Sequence, residues 1–119
     1  MINYKIALAQ INPVVGDLYN NTKKIVKIIN KFKHKADLLV FPELCLVGYP
    51  PEDLILRRSL LEKITICIDN IHKVVKKNKV GVIFGAPLKL KNGVGNAAVY
   101  LIGNNKTIIF KNNLPNYGV

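Results

Sequence analysis

Three short, almost continuous apolar runs, separated by two longer stretches with helical spacing, limit this chain to few architectures. Ile6-Ala7-Leu8-Ala9-Gln10-Ile11 reads as a buried strand ended by Asn12-Pro13. Leu38-Leu39-Val40-Phe41 is the second run, continuous in apolar character as expected when both faces of a strand are covered. Val80 to Pro87 is the third. After the first run Asp17 suits a helix N-cap, and Leu18, Thr22, Ile25, Ile28, Ile29 and Phe32 recur at helical spacing. Lys23, Lys24, Lys27 and Lys31 fall off that stripe and form a solvated face. After the second run a loop extends to about Arg58. Ser59-Leu60-Leu61-Glu62 then has the capping-box pattern of a helix start. Leu60, Ile64, Cys67, Ile71 and Val74 line one face of this second helix, down to about Asn78. Lys91-Asn92-Gly93 is a turn, and strands at 96–102 and 107–111 are joined at Gly103-Asn104-Asn105. The predicted order is β-α-β-α-β-β-β, an α/β layer structure with helices packed on a sheet.

The chain of 119 residues makes one domain at most. A net charge of +11 invites a nucleic-acid reading. The basic residues are nearly all lysine, with arginine only at 57 and 58, and Asn and Ile are abundant alongside them. That skew matches AT-rich coding, whereas a DNA-reading face favours arginine for its bidentate contacts. No nucleic-acid partner is expected. The apolar runs fall far short of the ~20 residues of a membrane span. Met1 to Lys5 leads straight into a strand-like run without a signal-peptide pattern. Two cysteines are too few for a disulfide framework and show no zinc spacing, so a reducing cytoplasm and no metal are expected.

Glu43 is the first candidate for chemistry. It follows the second apolar run and precedes a turn-rich segment with Gly48, Tyr49, Pro50 and Pro51. A carboxylate at the carboxyl end of a buried strand sits where α/β enzymes keep catalytic groups, and partial desolvation there suits a general base. A surface glutamate capping a loop amide is the simpler alternative. Lys111 is the second candidate: it ends a predicted strand, and with parallel neighbours it reaches the same sheet edge as Glu43. There it would stabilise an oxyanion or pair with the glutamate. Cys45 lies two residues from Glu43, but nearness in sequence is not catalytic geometry, and a buried cysteine often acts as a small apolar residue. Cys67 falls on the helical stripe, His34 and His72 sit in Lys-rich stretches without a motif, and Ser59 is explained as a cap. Gly16 and Gly85 form no phosphate loop.

Taken together, these residues resemble the carbon-nitrogen hydrolase (nitrilase) superfamily, from Ile6–Gln10 with Asn12-Pro13 and Gly16-Asp17 to Phe41-Pro42-Glu43-Leu44. Gly48-Tyr49-Pro50-Pro51-Glu52-Asp53-Leu54 with Arg57, and Lys111-Asn112-Asn113-Leu114-Pro115-Asn116-Tyr117-Gly118-Val119, are similar to the glutaminase domains of the glutamine-dependent NAD synthetase family. The resemblance implies that residues 1–119 are the N-terminal portion of an α-β-β-α sandwich with a Glu-Lys-Cys triad. Glu43 would be the general base and Lys111 the stabiliser of the tetrahedral intermediate, with Tyr49 and Tyr117 lining a glutamine pocket. The ammonia released would serve an ATP- and Mg-dependent amidation of deamido-NAD in a separate synthetase domain, absent here, within a homo-oligomer.

The nucleophilic cysteine of the family is expected past Val119, and Cys45 does not take its place. The abrupt Leu114–Val119 end reads as a chain cut part-way, to be completed by further sequence or by a partner chain. A portion of another carbon-nitrogen hydrolase, such as a small amidase, and a non-enzymatic remnant are the alternatives. The isolated chain is expected not to hydrolyse glutamine. An uncovered sheet face and unpaired strand edges are expected to make it aggregation-prone.

Overall fold

A computed structural model describes residues 3–49 and 58–111. Its elements are β1 (Ile6–Leu8), α1 (Leu18–Phe32), β2 (Leu38–Val40), α2 (Arg58–Lys76), β3 (Gly81–Leu90), β4 (Gly93–Ile102) and β5 (Asn105–Phe110), in the order the apolar pattern predicts. They build one five-stranded sheet in the spatial order β1-β2-β3-β4-β5. The first three strands are parallel, with Leu8, Val40 and Ile83 in register, and the last two are added as antiparallel hairpins.

Handedness decides where the helices go. Strands 1, 2 and 3 are laid down side by side in one direction, and β-α-β crossovers are right-handed, so both helices fall on the same sheet face. There Ile25 and Ile29 of α1 and Ile64, Ile71 and Val75 of α2 join Leu39, Val82, Phe84, Val99 and Leu101 in a fully buried core. Strand alternation sends the other residues to the opposite face, which no described helix covers. Ile6, Leu8 and Ile109 stand 57%, 78% and 64% exposed, unlike the two-sided burial expected of continuous apolar runs.

Local chemistry sets the element ends. Asp17 caps α1, its carboxylate accepting from the backbone N–H and the side-chain amide of Asn20. Those bonds, the side-chain one foremost, hold its acidity above that of an ordinary aspartate. β1 is shorter than expected because β2 offers only three partners; Ala9 still donates to Val40 O, and the chain then leaves the sheet. The β3–β4 and β4–β5 ladders run right up to their turns, Leu90 opposite Gly93 and Ile102 opposite Asn105, so these strands are longer than the sequence pattern suggests. Helix α2 already includes Arg58, which puts Ser59 inside the first turn rather than at the cap. Its buried face is Ile64, Ile68, Ile71, His72 and Val75, rotated slightly from the expected stripe, with Leu60, Cys67 and Val74 on its flank. His72 is buried because its Nε2–H donates to Gly103 O at 2.9 Å, docking the helix on the β4–β5 turn.

One buried amide ties two loops together. Asn21 is fully buried on α1; its side chain accepts from Val14 N–H at 2.8 Å and donates to Val14 O at 2.8 Å and Leu46 O at 3.0 Å. Gly16 N–H donates to Val47 O, and Gly48 packs so closely on Val15 that a Cβ would lie 2.8 Å from its Cα. The 13–17 strap and the 42–48 loop are therefore one unit. Asn21→Ala leaves an amide and two carbonyls without their partner, and should lower unfolding free energy by about 2–4 kcal/mol in chemical denaturation.

Candidate functional site

Glu43 and Lys111 start from strands three places apart in the sheet. Three inter-strand steps of about 4.8 Å separate β2 from β5 by roughly 14 Å. Two antiparallel reversals make β5 run in the same sense as β2, so both residues leave the sheet at the same edge. The loop after β2 covers much of the gap. Phe41 N–H extends the β2–β3 pairing by donating to Ile83 O, and the chain then turns over β3 at Gly85. A Cβ at Gly85 would lie 2.9 Å from Glu43 Cα and closer still to Leu44 N, so the backbone crosses there only because residue 85 is glycine.

The crossing is held rigidly. Leu44 adopts φ of 53°, a left-handed conformation unusual for a branched side chain. Val47 and Gly48 N–H both donate to Leu44 O, and Leu46 N–H donates to Gly85 O. Leu44, Cys45, Leu46 and Val47 are all buried, anchoring the loop while Glu43 points outward.

At the edge, Lys111 Nζ lies 3.1 Å from Glu43 Oε1, both side chains about half exposed. The side-chain amide of Asn96, on β4, donates to the same oxygen at 2.5 Å. These three polar groups converge in an otherwise mostly apolar cleft of about 290 Å³, with Phe41, Ile83, Gly85 and Ile109 among its lining. A larger cleft of about 530 Å³ lies between α2 and the β3–β4 hairpin, but its one carboxylate, Glu62, already pairs with Arg58 on the surface. A half-exposed ion pair adds only about 0–1 kcal/mol to stability, so the Glu43–Lys111 contact is not explained as a structural brace.

The structure thus brings Glu43 and Lys111 together. Tyr49 stands 61% exposed and is not among the residues lining their cleft, and Tyr117 lies outside the described residues. Asn96 went unnoticed in the sequence. Its signal was an asparagine inside the apolar stretch Val94-Gly95-Asn96-Ala97-Ala98-Val99, a residue type depleted from strands.

Cys45 is fully buried with its Sγ 3.9 Å from Gly85 O, and burial pushes its thiol up to about 11. A thiol that keeps its proton at neutral pH is a poor nucleophile. Relative to a thiol at the ordinary 9.0, a shift of about two units leaves about 100-fold less thiolate at pH 8. Native-state alkylation, read by peptide mass spectrometry, should therefore modify the partly exposed Cys67 well before Cys45. Gly85→Ala should cost about 2–3 kcal/mol and separate Glu43 from Asn96, seen as loss of the Asn96 side-chain amide shift in NMR spectra.

Comparison with known proteins agrees with this geometry. The family model for carbon-nitrogen hydrolases matches residues 5–115. The glutamine-dependent NAD(+) synthetase of Acinetobacter baylyi is 36% identical over all of this chain, which covers 22% of that protein. That of Aquifex aeolicus is 38% identical over 96% of this chain and 20% of its own length. Among solved structures, the Acinetobacter baumannii glutamine-dependent NAD+ synthetase bound to ADP superposes with TM-score 0.86 at 35% identity, over 98% of this chain and 22% of that one. An amidase from Nesterenkonia shares the fold, TM-score 0.83 at 20% identity, over 98% of this chain and 47% of its own. The chain spans about a fifth of the length of the synthetases it matches. On the match across nearly its whole length, this chain belongs to the carbon-nitrogen hydrolase family.

Proposed function

We propose that this chain supplies the base and the cation of a glutamine-hydrolysing site, as the N-terminal portion of a glutamine-dependent NAD synthetase. The observation that carries the reading is the contact of Glu43 with Lys111 at 3.1 Å, across the sheet edge and open to a cleft. It is supported by the synthetase relatives, which match this chain along their own first fifth.

The chemistry follows from the two groups. Glu43 accepts the proton of an attacking thiol, whose sulfur adds to the carboxamide carbon of glutamine. The Lys111 ammonium faces the oxygen that becomes negative. Collapse of the tetrahedral intermediate breaks the C–N bond, and the proton held by Glu43 leaves with the amine as ammonia. Glu43 then draws a proton from water, which attacks the thioester, releasing glutamate and restoring the thiol.

The thiol comes from sequence beyond the described residues or from a partner chain. Cys45 keeps its proton, and Cys67 lies on α2, behind the covered face of the sheet. ATP and magnesium belong, in this reading, to the synthetase portion. Among the described residues no group of three or more acids, histidines or cysteines could hold a metal ion.

The purified chain should release no ammonia from glutamine above a Glu43→Ala control. A chimera with this chain in place of the matching segment of the Acinetobacter baylyi synthetase should hydrolyse glutamine. In it, Glu43→Gln or Lys111→Met should lower kcat for ammonia release by about 10²–10⁴-fold, leaving amidation from added ammonia intact. Glutamine hydrolysis indifferent to Glu43→Gln would refute the assignment.

A further inference from the structure

The Glu43–Lys111 pair is half exposed and joins a flexible four-carbon lysine to a carboxylate on a loop. Such pairs, left to themselves, sample many geometries. Catalytic groups need a fixed one. Asn96 is the rigid member of the trio. It stands on β4 at 6% exposure, opposite Pro87 of β3, between Gly95 and Ala97 in an apolar strand. A buried amide is costly in such surroundings unless it is hydrogen-bonded, and here its donor goes to Glu43 Oε1.

The same residue also holds the lysine. Lys111 N–H donates to Asn96 O at 2.9 Å, carrying the β4–β5 ladder one residue past the Ala97–Phe110 pair. Both partners of the ion pair are thus referenced to one buried residue, one through its side chain and one through its backbone.

We propose that Asn96 is a positioning residue. It fixes Glu43 Oε1 with its side-chain amide and Lys111 with its carbonyl, so that Glu43 offers its other oxygen, Oε2, as the proton acceptor. Oε1 takes two donors, from Asn96 and Lys111, whereas among the described residues none reaches Oε2. An oxygen with two donors has its lone pairs engaged, and the incoming proton goes to the other. The placement stands on geometry alone; the role of Oε2 rests on the reading of Glu43 as the base.

The chain has three glutamates, at 43, 52 and 62, so glutamate labelled with ¹³C at the carboxyl carbon gives three resonances, and Glu43→Gln assigns the one of interest. Its pH transition is followed in the unaltered chain, in Asn96→Asp and in Asn96→Ala. Asn96→Asp sets a second carboxylate against Oε1 and should move the transition upward by about one unit, a tenfold gain in proton affinity. Asn96→Ala removes a donor without adding charge and should move it upward by less. Glu62, exposed on α2 and paired with Arg58, serves as the control and should not move. In the unaltered chain the Asn96 side-chain amide peaks should shift with the Glu43 transition, a readout that needs no variant. Asn96 amide peaks that ignore that transition, or a Glu43 transition unmoved in a folded variant, would overturn the proposal. None of these readouts needs turnover. A chimera that fails to hydrolyse glutamine while the Asn96 amide peaks follow the Glu43 transition would sink the reaction and leave the positioning role standing.

Discussion

The passage of the Glu43–Leu44 backbone over Gly85 is the contact on which the rest of the site depends. β2 and β5 lie too far apart for their following residues to meet by extension alone. A loop laid directly on β3 shortens the distance, and only a residue without a Cβ lets it lie there. The conformation is not a relaxed one, as the positive φ of Leu44 shows. It is maintained by four consecutive buried side chains and by the strap that Asn21 fastens to Leu46. Apolar burial on one side of the loop thus holds a polar, solvent-facing group on the other in a defined place.

The sheet divides stability from chemistry. Both helices and the contiguous core lie on one face, as right-handed crossovers between successive neighbouring strands require. Glu43, Asn96 and Lys111 gather at the carboxyl edge of the parallel strands, beside the face that no described helix covers. Three polar side chains meeting in an apolar cleft are poor contributors to stability, since two are half exposed and the third is a buried amide that must be hydrogen-bonded to offset its burial. That arrangement agrees with membership of the carbon-nitrogen hydrolase family, whose glutamine-dependent NAD(+) synthetase relatives are far longer polypeptides.

Several features were readable without coordinates. Continuous apolar runs and helical stripes defined all seven elements and their order, because burial periodicity is written residue by residue. Glu43 and Lys111 were visible as charged residues just past apolar runs. Asn96 and Asn21 were not, although each is more buried than either charged group. Their partners lie 53 residues away for Asn96 and up to 25 away for Asn21, and nothing local distinguishes a satisfied buried amide from a surface one. His72 was hidden for the same reason, since its acceptor is in a turn 31 residues later. Strand lengths were misjudged where pairing, not propensity, sets the end: β1 stops where β2 stops, and the hairpin strands continue to their turns.

By itself the sequence determined the element order, the layer class, the capping of α1 by Asp17 and the two charged residues to watch, all consequences of short-range periodicity and local chemistry. Only the tertiary structure decided that both helices share one face, that Gly85 is a crossing point, that Cys45 is sealed in the core beside the exposed Glu43, and that Asn96 joins Glu43 to Lys111. Those outcomes depend on crossover handedness, sheet register and the contact of backbones distant along the chain. Each is a relation between elements, so no single stretch of residues encodes it.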